Sequence, residues 1–348
     1  MTSKKIDSHV IRDVLINFDN QLLSYETLNS LYALRPQEEE LKMIIDYVKN
    51  GNANSEELLD KPETFLLELS RIPAFEERLY CLVYQNKLNE SLSSIEFRLN
   101  NVNIICDELL NSDKIRKILG IVLACGNNMN ATNKSRGDAD GFDLAILPNL
   151  KDVKSKDNQT NLLQYIAFFY VNKIDDDLTK LPIPDPSDFS FVAQVNFDEI
   201  DKELKRINNE LDDIEKRIEN VLKIEESQNE SSPFKARVDE FLVNAKEECK
   251  EQEEIFTKCK TKFNKLVQIY CIKPKPSEKE VTPEYLFALW ASFCQDFKDA
   301  WKRESQKLAK LRLKQVNEKR IQIKSSNKTE TKPVETKKSM VNYILFYY

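Results

Sequence analysis

The stretch LACGNNMNATNKSRGDADGFDLAILPNLKDVKSKD, residues 123–157, differs in composition from the sequence on both sides of it. It is rich in Asn, Asp, Lys and Gly, and three of the chain's 5 glycines fall within it. Glycine permits backbone conformations with positive φ, and Asn tolerates them better than most residues do. We therefore expect a structured loop held between helices, with its glycines placed where the backbone needs this freedom.

The scarcity of glycine and histidine excludes several classes of protein. Folds that hold dinucleotides or phosphates on backbone N–H groups need several glycines, and turn-rich barrels and sandwiches need many turn residues. The single histidine, His9, leaves little for a metal site or for histidine-based acid–base chemistry. Because no carboxylate pair, Cys–His pair or phosphate loop stands out, we expect no enzyme activity and no cofactor. The apolar runs are too short for a membrane span.

Apolar residues at helical spacing flank the loop on both sides and predict an all-α fold. Upstream, they recur every three or four positions across residues 9–123, and none of this part shows the alternation of a strand. Downstream, helical spacing resumes at 161–171, before a connector in which alternating prolines prevent a helix from continuing. The connector prolines are Pro182, Pro184 and Pro186.

The clearest periodicity of the chain follows the connector. Apolar residues alternate by four and three positions, with Glu and Lys at the flanks, which is typical of a coiled-coil seam. We call these residues the seam: Ile200, Leu204, Ile207, Leu211, Ile214, Ile218 and Val221. Two interpretations stay open, because such a helix either packs on its own chain or pairs with other chains as a scaffold. A second long apolar pattern after Pro233 predicts an antiparallel helical hairpin.

The end of the chain is basic although the whole chain carries a net charge of -6. Residues 302–338 contain 13 Lys and Arg against 4 Asp and Glu. A basic segment on an acidic body binds an acidic partner such as a filament, or it is simply a solvated helix. From about Ser325 the composition indicates disorder, so we expect residues 321–348 to be a disordered basic tail with an apolar end.

The loop resembles the signature of the formin homology 2 domain. The family pattern is Gly-Asn-x-Met-Asn, a short glycine-containing loop, Gly-Phe-x-Leu, and then Leu-x-x-x-Lys-Ser. The matching residues are Gly126, Asn127, Met129, Asn130, Gly137, Gly141, Phe142, Leu144, Leu150, Lys154 and Ser155. Segments that begin at Arg35, Glu63 and Leu162 resemble the same domain in the same order. The segment from Glu284 resembles the cappuccino/formin-1/formin-2 group.

The resemblance implies an elongated all-helical domain over residues 1–320, with knob, coiled-coil and post regions. We expect knob-like helices over 1–110, a post with the signature loop over 111–180, a long helical hairpin over 187–272 and a C-terminal helix over 282–320. In the family, two domains form a ring in which each lasso surrounds the post of the other. The ring binds actin at filament barbed ends, nucleates filaments and stays attached during elongation.

The family's lasso, linker and actin-contacting isoleucine lie upstream of the part that Met1 matches, and no proline-rich run is present among the 12 prolines. We therefore expect a domain without lasso and linker, whose activity is impaired unless another chain supplies the lasso. In that case a formin homodimer is expected. The resemblance further implies actin as partner, a Spire-type nucleator or microtubules as other partners, no nucleic acid, and a place in the cytoplasmic actin cytoskeleton.

The resemblance also assigns two sets of site residues. Six residues correspond to the post signature that receives the partner's lasso: Gly126, Asn127, Met129, Asn130, Gly141 and Phe142. Four basic residues are expected to contact actin: Lys151, Lys154, Arg71 and Arg78. Actin has an acidic surface, so attraction to lysines is physically reasonable. The alternative roles are that the first set only shapes the loop and that the lysines are solvated.

Overall fold

The computed structural model describes residues 8–19, 21–50, 59–132, 137–174, 177–228, 233–276 and 278–326. In these ranges the regular structure is helical, apart from one isolated antiparallel bridge between Lys154 and Asn161. The predicted all-α fold class is therefore confirmed. The helices are α1 (Ser8–Asn17), α2 (Tyr25–Ala33), α3 (Glu38–Asn50), α4 (Lys61–Ser70), α5 (Phe75–Asn111), α6 (Asp113–Met129), the 3-10 helix η1 (Leu144–Asn149), α7 (Leu162–Lys173), α8 (Pro186–Val192), α9 (Phe197–Gln228), α10 (Phe234–Ile269) and α11 (Pro283–Ser326).

The helices form two compact units. Unit 1 comprises Met1–Asn111 and Asp188–Ala288, and unit 2 comprises Ser112–Ser187 and Leu289–Tyr348. This grouping differs from the predicted regions, which separated the knob-like helices from the long hairpin. Across the described part of the chain, no helix combines the length and the apolar character that crossing a bilayer requires.

Three long helices explain why unit 1 joins the early helices to the hairpin. α5 is 37 residues long, and it packs against both α9 and α10, which also pack on each other. Each of the three helices buries an apolar stripe at coiled-coil spacing. On α5 the stripe includes Leu88, Leu92 and Leu99, which are far from the hairpin in sequence.

The seam on α9 is buried entirely within this bundle. Its seven residues are between 0% and 4% exposed, and the hydroxyl of Tyr84 on α5 donates a hydrogen bond to the carbonyl of Ile207 at 3.1 Å. The seam therefore packs on its own chain, and pairing with other chains through it is not favoured, because its apolar face is already covered by α5 and α10. Ion pairs at the flanks, such as Lys87–Glu210 at 2.9 Å and Arg98–Glu203 at 2.6 Å, link α9 to α5.

Unit 2 is built around an aromatic cluster on α11. Phe297 contacts Tyr170 of α7 edge-on and Phe293 on its own helix, with ring centroids 6.4 and 5.6 Å apart. Trp290 is fully buried. α7 begins with a capping box, in which Asn161 accepts a hydrogen bond from the backbone N–H of Gln164 at 2.8 Å. This cap fixes where the loop ends and the helix begins.

The last helix extends beyond its predicted end. α11 continues to Ser326, past the predicted boundary at residue 320, so the start of the predicted disordered tail is helical. The good helix formers Lys, Arg, Gln and Leu in this segment favour this continuation. The remainder of the predicted tail, residues 327–348, lies outside the described residues.

Candidate functional site

The described glycines of the signature loop do not adopt the positive-φ backbone conformations that the sequence predicts for them. Among the described glycines none has a positive φ. The left-handed conformation falls instead on Asp138 and Asn158, each with φ of 56°. A Cβ added at Gly126 or Gly141 would meet nothing within 4 Å. These two glycines therefore leave open surface on the molecule, rather than relieving strain or crowding inside it.

The asparagines of the signature hold the loop against the end of α6. The amide of Asn127 forms two hydrogen bonds with the backbone of Ala139: its Nδ2 donates to the carbonyl and its Oδ1 accepts from the N–H, both at 2.9 Å. Asn130 donates from its side chain to the carbonyl of Gly126 at 3.0 Å, and its own N–H caps the helix. Both residues therefore shape the loop, which was one of the two expected roles.

Apolar atoms are exposed beside these glycines. Met129 is 59% exposed, and it shares a face of α6 with Gly126 because the two are three residues apart. Phe142 is half-buried and follows the exposed Gly141. The end of α6 and the turn at residue 141 thus combine bare backbone with accessible apolar side chains, which suits close contact with another chain.

The two lysines of the loop have different environments. Lys151 forms an ion pair with Asp296 of α11 at 2.9 Å. The hydrogen bond to Asp296 and the charge of that carboxylate raise the pKa of Lys151. Lys154 is exposed, and within the described residues no carboxylate lies at ion-pairing distance from it. The sequence did not predict Asp296 as a partner, because nothing local links two residues so far apart along the chain.

Lys154 stands on a short hairpin-like segment, residues 150–162, which we call the arm and which contains the isolated bridge between Lys154 and Asn161. Ser155 and Thr160 pair through their backbones at 2.8 Å, and the N–H of Leu162 donates to the carbonyl of Val153 at the same distance. The hydroxyl of Ser155 also accepts the N–H of Thr160 at 3.2 Å. At the base of the arm Leu150 is buried. The arm is therefore an ordered structure that presents Lys154 to solvent.

The side chain of Ser155 also closes the turn at the tip of the arm. It donates a hydrogen bond to the carboxylate of Asp157 at 2.5 Å. This hydrogen bond is the main cause that lowers the pKa of Asp157, and the N–H of Gln159 adds a second one. Asp157 therefore stays ionised, and it ties the turn together instead of pairing with Lys154.

Arg78 is not a surface residue, which corrects its prediction as an actin contact. It is 2% exposed, and its guanidinium pairs with Glu225 of α9 at 2.5 Å and lies 4.4 Å from the ring centroid of Phe234. A residue held in this way cannot reach a partner protein while unit 1 is folded. Arg71 is exposed at the end of α4, so its role as a contact stays a prediction.

The site therefore consists of the end of α6, the turn at Gly141 and the arm, all in unit 2. An all-helical scaffold that presents an ordered, exposed loop of this kind belongs to the class of helical binding domains. The family model described as Formin Homology 2 Domain matches residues 1–298, and the chain belongs to this family. The predicted family resemblance is thereby confirmed.

Three relatives show how far the similarity extends. Formin of Gallus gallus is 38% identical over 344 residues, which cover 98% of this chain and 28% of the relative. Formin-1 of Homo sapiens is 37% identical and covers 98% of this chain and 24% of the relative. Protein cappuccino of Drosophila melanogaster is 31% identical over 338 residues, 95% of this chain and 31% of the relative. The chain thus spans less than a third of the length of these relatives, which come from the predicted group.

Proposed function

We propose that the chain is an actin-binding formin-type domain that binds filament barbed ends and promotes filament nucleation and elongation. The observation that carries the proposal is the signature loop, which has every residue of the family pattern and, in its described part, exposes Met129, Gly141 and Lys154. A second support is electrostatic, because Lys154 has no carboxylate partner among the described residues and is available for an acidic surface. The domain acts by binding, without enzyme chemistry or a cofactor.

We further propose two roles within this site. Lys154 is the contact to actin, whereas Lys151 is engaged by Asp296. Gly126, Met129 and their neighbours receive the lasso of a second formin chain, because open backbone beside an exposed thioether allows close approach. Where an upstream lasso is present, the domain forms a homodimer, and its place is the actin cytoskeleton of the cytoplasm.

A second candidate function is supported by the basic half of α11. Beyond Lys302 this helix exposes Leu311, Leu313 and Val316 among Lys and Arg residues. An exposed basic helix of this kind suits an acidic partner such as a microtubule or a Spire-type nucleator. The prediction is a binding affinity that falls steeply with salt concentration and that is lost when residues 302–338 are removed.

Pyrene-actin assembly tests the main proposal. The assay compares this chain, a version extended upstream through the family's lasso, and the variant Lys154→Ala in both forms. The matched control is Lys117→Ala, which removes the same charge from an exposed position on α6 in the same unit. We expect Lys154→Ala to weaken barbed-end binding and Lys117→Ala to leave it unchanged. If neither form of the unmodified domain binds barbed ends or changes assembly, the actin proposal fails.

A further inference from the structure

The arm is held at its base by a connection to α11. Leu150 is buried, and the next residue, Lys151, reaches across to the carboxylate of Asp296 at 2.9 Å. Asp296 stands between Phe293 and Phe297, both of which are at most 1% exposed, so its backbone is fixed by the aromatic cluster of unit 2. The ion pair therefore joins a short exposed segment to a helix whose aromatic face is buried in the unit.

The other anchor of the arm is the capped start of α7, with which Val153 and Lys154 pair. Between Lys151 and Thr160 every residue is exposed, and the hydrogen bonds within this described segment run to the arm itself and to its adjoining turn. A short paired segment of this kind is marginally stable without packing against a larger structure. The ion pair between Lys151 and Asp296 is the contact that links this segment to α11, so it contributes to the position of Lys154 relative to that helix.

From this geometry we propose that Asp296 is a positioning residue for the actin contact. It binds Lys151, holds the base of the arm against α11, and thereby places Lys154 where an acidic partner meets it. The inference rests on the proposed function for its partner, whereas the link between Asp296 and the arm stands on the contacts alone. It also gives the two lysines of the arm different roles: Lys151 binds Asp296 within the chain, and Lys154 contacts the partner.

The variant Asp296→Lys separates positioning from simple charge attraction. It adds positive charge to the surface, so attraction to acidic actin alone predicts tighter binding. Positioning predicts the opposite, because a lysine at 296 repels Lys151 and releases the arm. An exposed ion pair has a modest effect, so we expect about 3- to 5-fold weaker barbed-end binding. The double variant Lys151→Asp with Asp296→Lys restores an ion pair and should return binding to within about twofold of the original.

The matched control is Asp185→Lys. Asp185 pairs with Lys298 of α11 at 2.6 Å, so this variant makes the same charge change and breaks an ion pair to α11 that does not touch the arm. It also removes the two hydrogen bonds that Asp185 accepts from Ser187 at the start of α8. We expect its barbed-end binding to be unchanged or slightly tighter. All variants are measured by pyrene-actin elongation in the form of the domain that binds in the assay above, and tryptophan fluorescence checks that unit 2 is folded.

Hydrogen exchange gives a readout that does not depend on actin. In Asp296→Lys the amides of Ser155 and Leu162, both donors within the arm, should exchange several times faster, and the double variant should reverse this. Unchanged exchange, or binding that tightens in Asp296→Lys, would overturn the inference. If Lys154→Ala has no effect on binding while exchange responds as expected, the proposed actin contact fails and the positioning of the arm by Asp296 stands.

Discussion

Replacing Arg78 with leucine tests whether this residue serves the interior of unit 1. Its guanidinium donates to Glu225 at 2.5 Å and to the carbonyls of Pro73 and Leu15 at 3.0 and 3.4 Å. Phe234 of α10 covers the same guanidinium. One side chain thus connects α5 to α1, α9 and α10 at a single buried point.

The expected loss of stability follows from these contacts. Removing one partner of a buried ion pair costs about 3–5 kcal/mol, because the remaining charge loses its compensation in a poorly solvated site. A buried cation–π contact contributes up to about 2 kcal/mol, of which leucine recovers a part through apolar packing on the ring. We therefore expect Arg78→Leu to lower the free energy of unfolding by about 4 kcal/mol.

Urea unfolding followed by far-ultraviolet circular dichroism measures this loss. The double variant Arg78→Leu with Glu225→Leu removes both charges and should recover most of the stability, because replacing a buried pair by apolar residues is often close to neutral. Arg12→Leu, at an exposed position on α1 in the same unit, is the surface control, and it should change stability by less than about 0.5 kcal/mol. A loss below about 1 kcal/mol for Arg78→Leu, or a double variant no more stable than the single one, would refute the reasoning.

Three further predictions follow from burial and charge. Leu211→Ala on the seam should cost about 2–4 kcal/mol in urea unfolding, since it opens a cavity in the bundle, and a loss typical of a surface site would contradict the buried seam. The hydrogen bond from Lys298 lowers the pKa of Asp185 from 3.8 to about 2. The stability that the ionised Asp185 contributes to the fold is therefore present above pH 3.8 and is lost as the pH falls through about 2. A carboxyl NMR titration of Asp185 with a midpoint near 3.8 would contradict this prediction. A thiol reagent at neutral pH should modify the exposed Cys271 in the folded protein, whereas Cys81, whose pKa burial raises to about 12, should react only after unfolding.

The fold class was predictable because helical periodicity is a local property. Apolar residues at alternating spacings of four and three mark the seam on α9 without any knowledge of its partner. The partner of the seam depends on the tertiary structure, because the apolar stripe on α5 lies more than a hundred positions away in the sequence. The hydrogen bond from the hydroxyl of Tyr84 to the carbonyl of Ile207 shows this separation. The open choice between self-packing and pairing with other chains could therefore be resolved only by the structure.

The glycines illustrate a second limit of sequence reasoning. A glycine is equally consistent with a left-handed backbone, with a crowded contact and with open surface, and composition alone favours the first. In the loop, Asp138 and Asn158 take the left-handed conformation, whereas Gly126 and Gly141 face open space. Their presence in the family pattern then fits approach by a partner chain better than a need of the loop itself.

The lysines of the arm show what a structure adds to a family resemblance. Lys151 and Lys154 have the same charge, are three positions apart and are both candidates by resemblance. The ion pair with Asp296 reduces the availability of Lys151 for a partner, since binding through it would first require breaking a charge-assisted hydrogen bond. Binding through Lys154 breaks no ion pair among the described residues. The same contact that engages Lys151 holds the base of the segment that carries Lys154. Mutating either lysine alone therefore cannot separate contact from positioning, whereas exchanging the charges of Lys151 and Asp296 can.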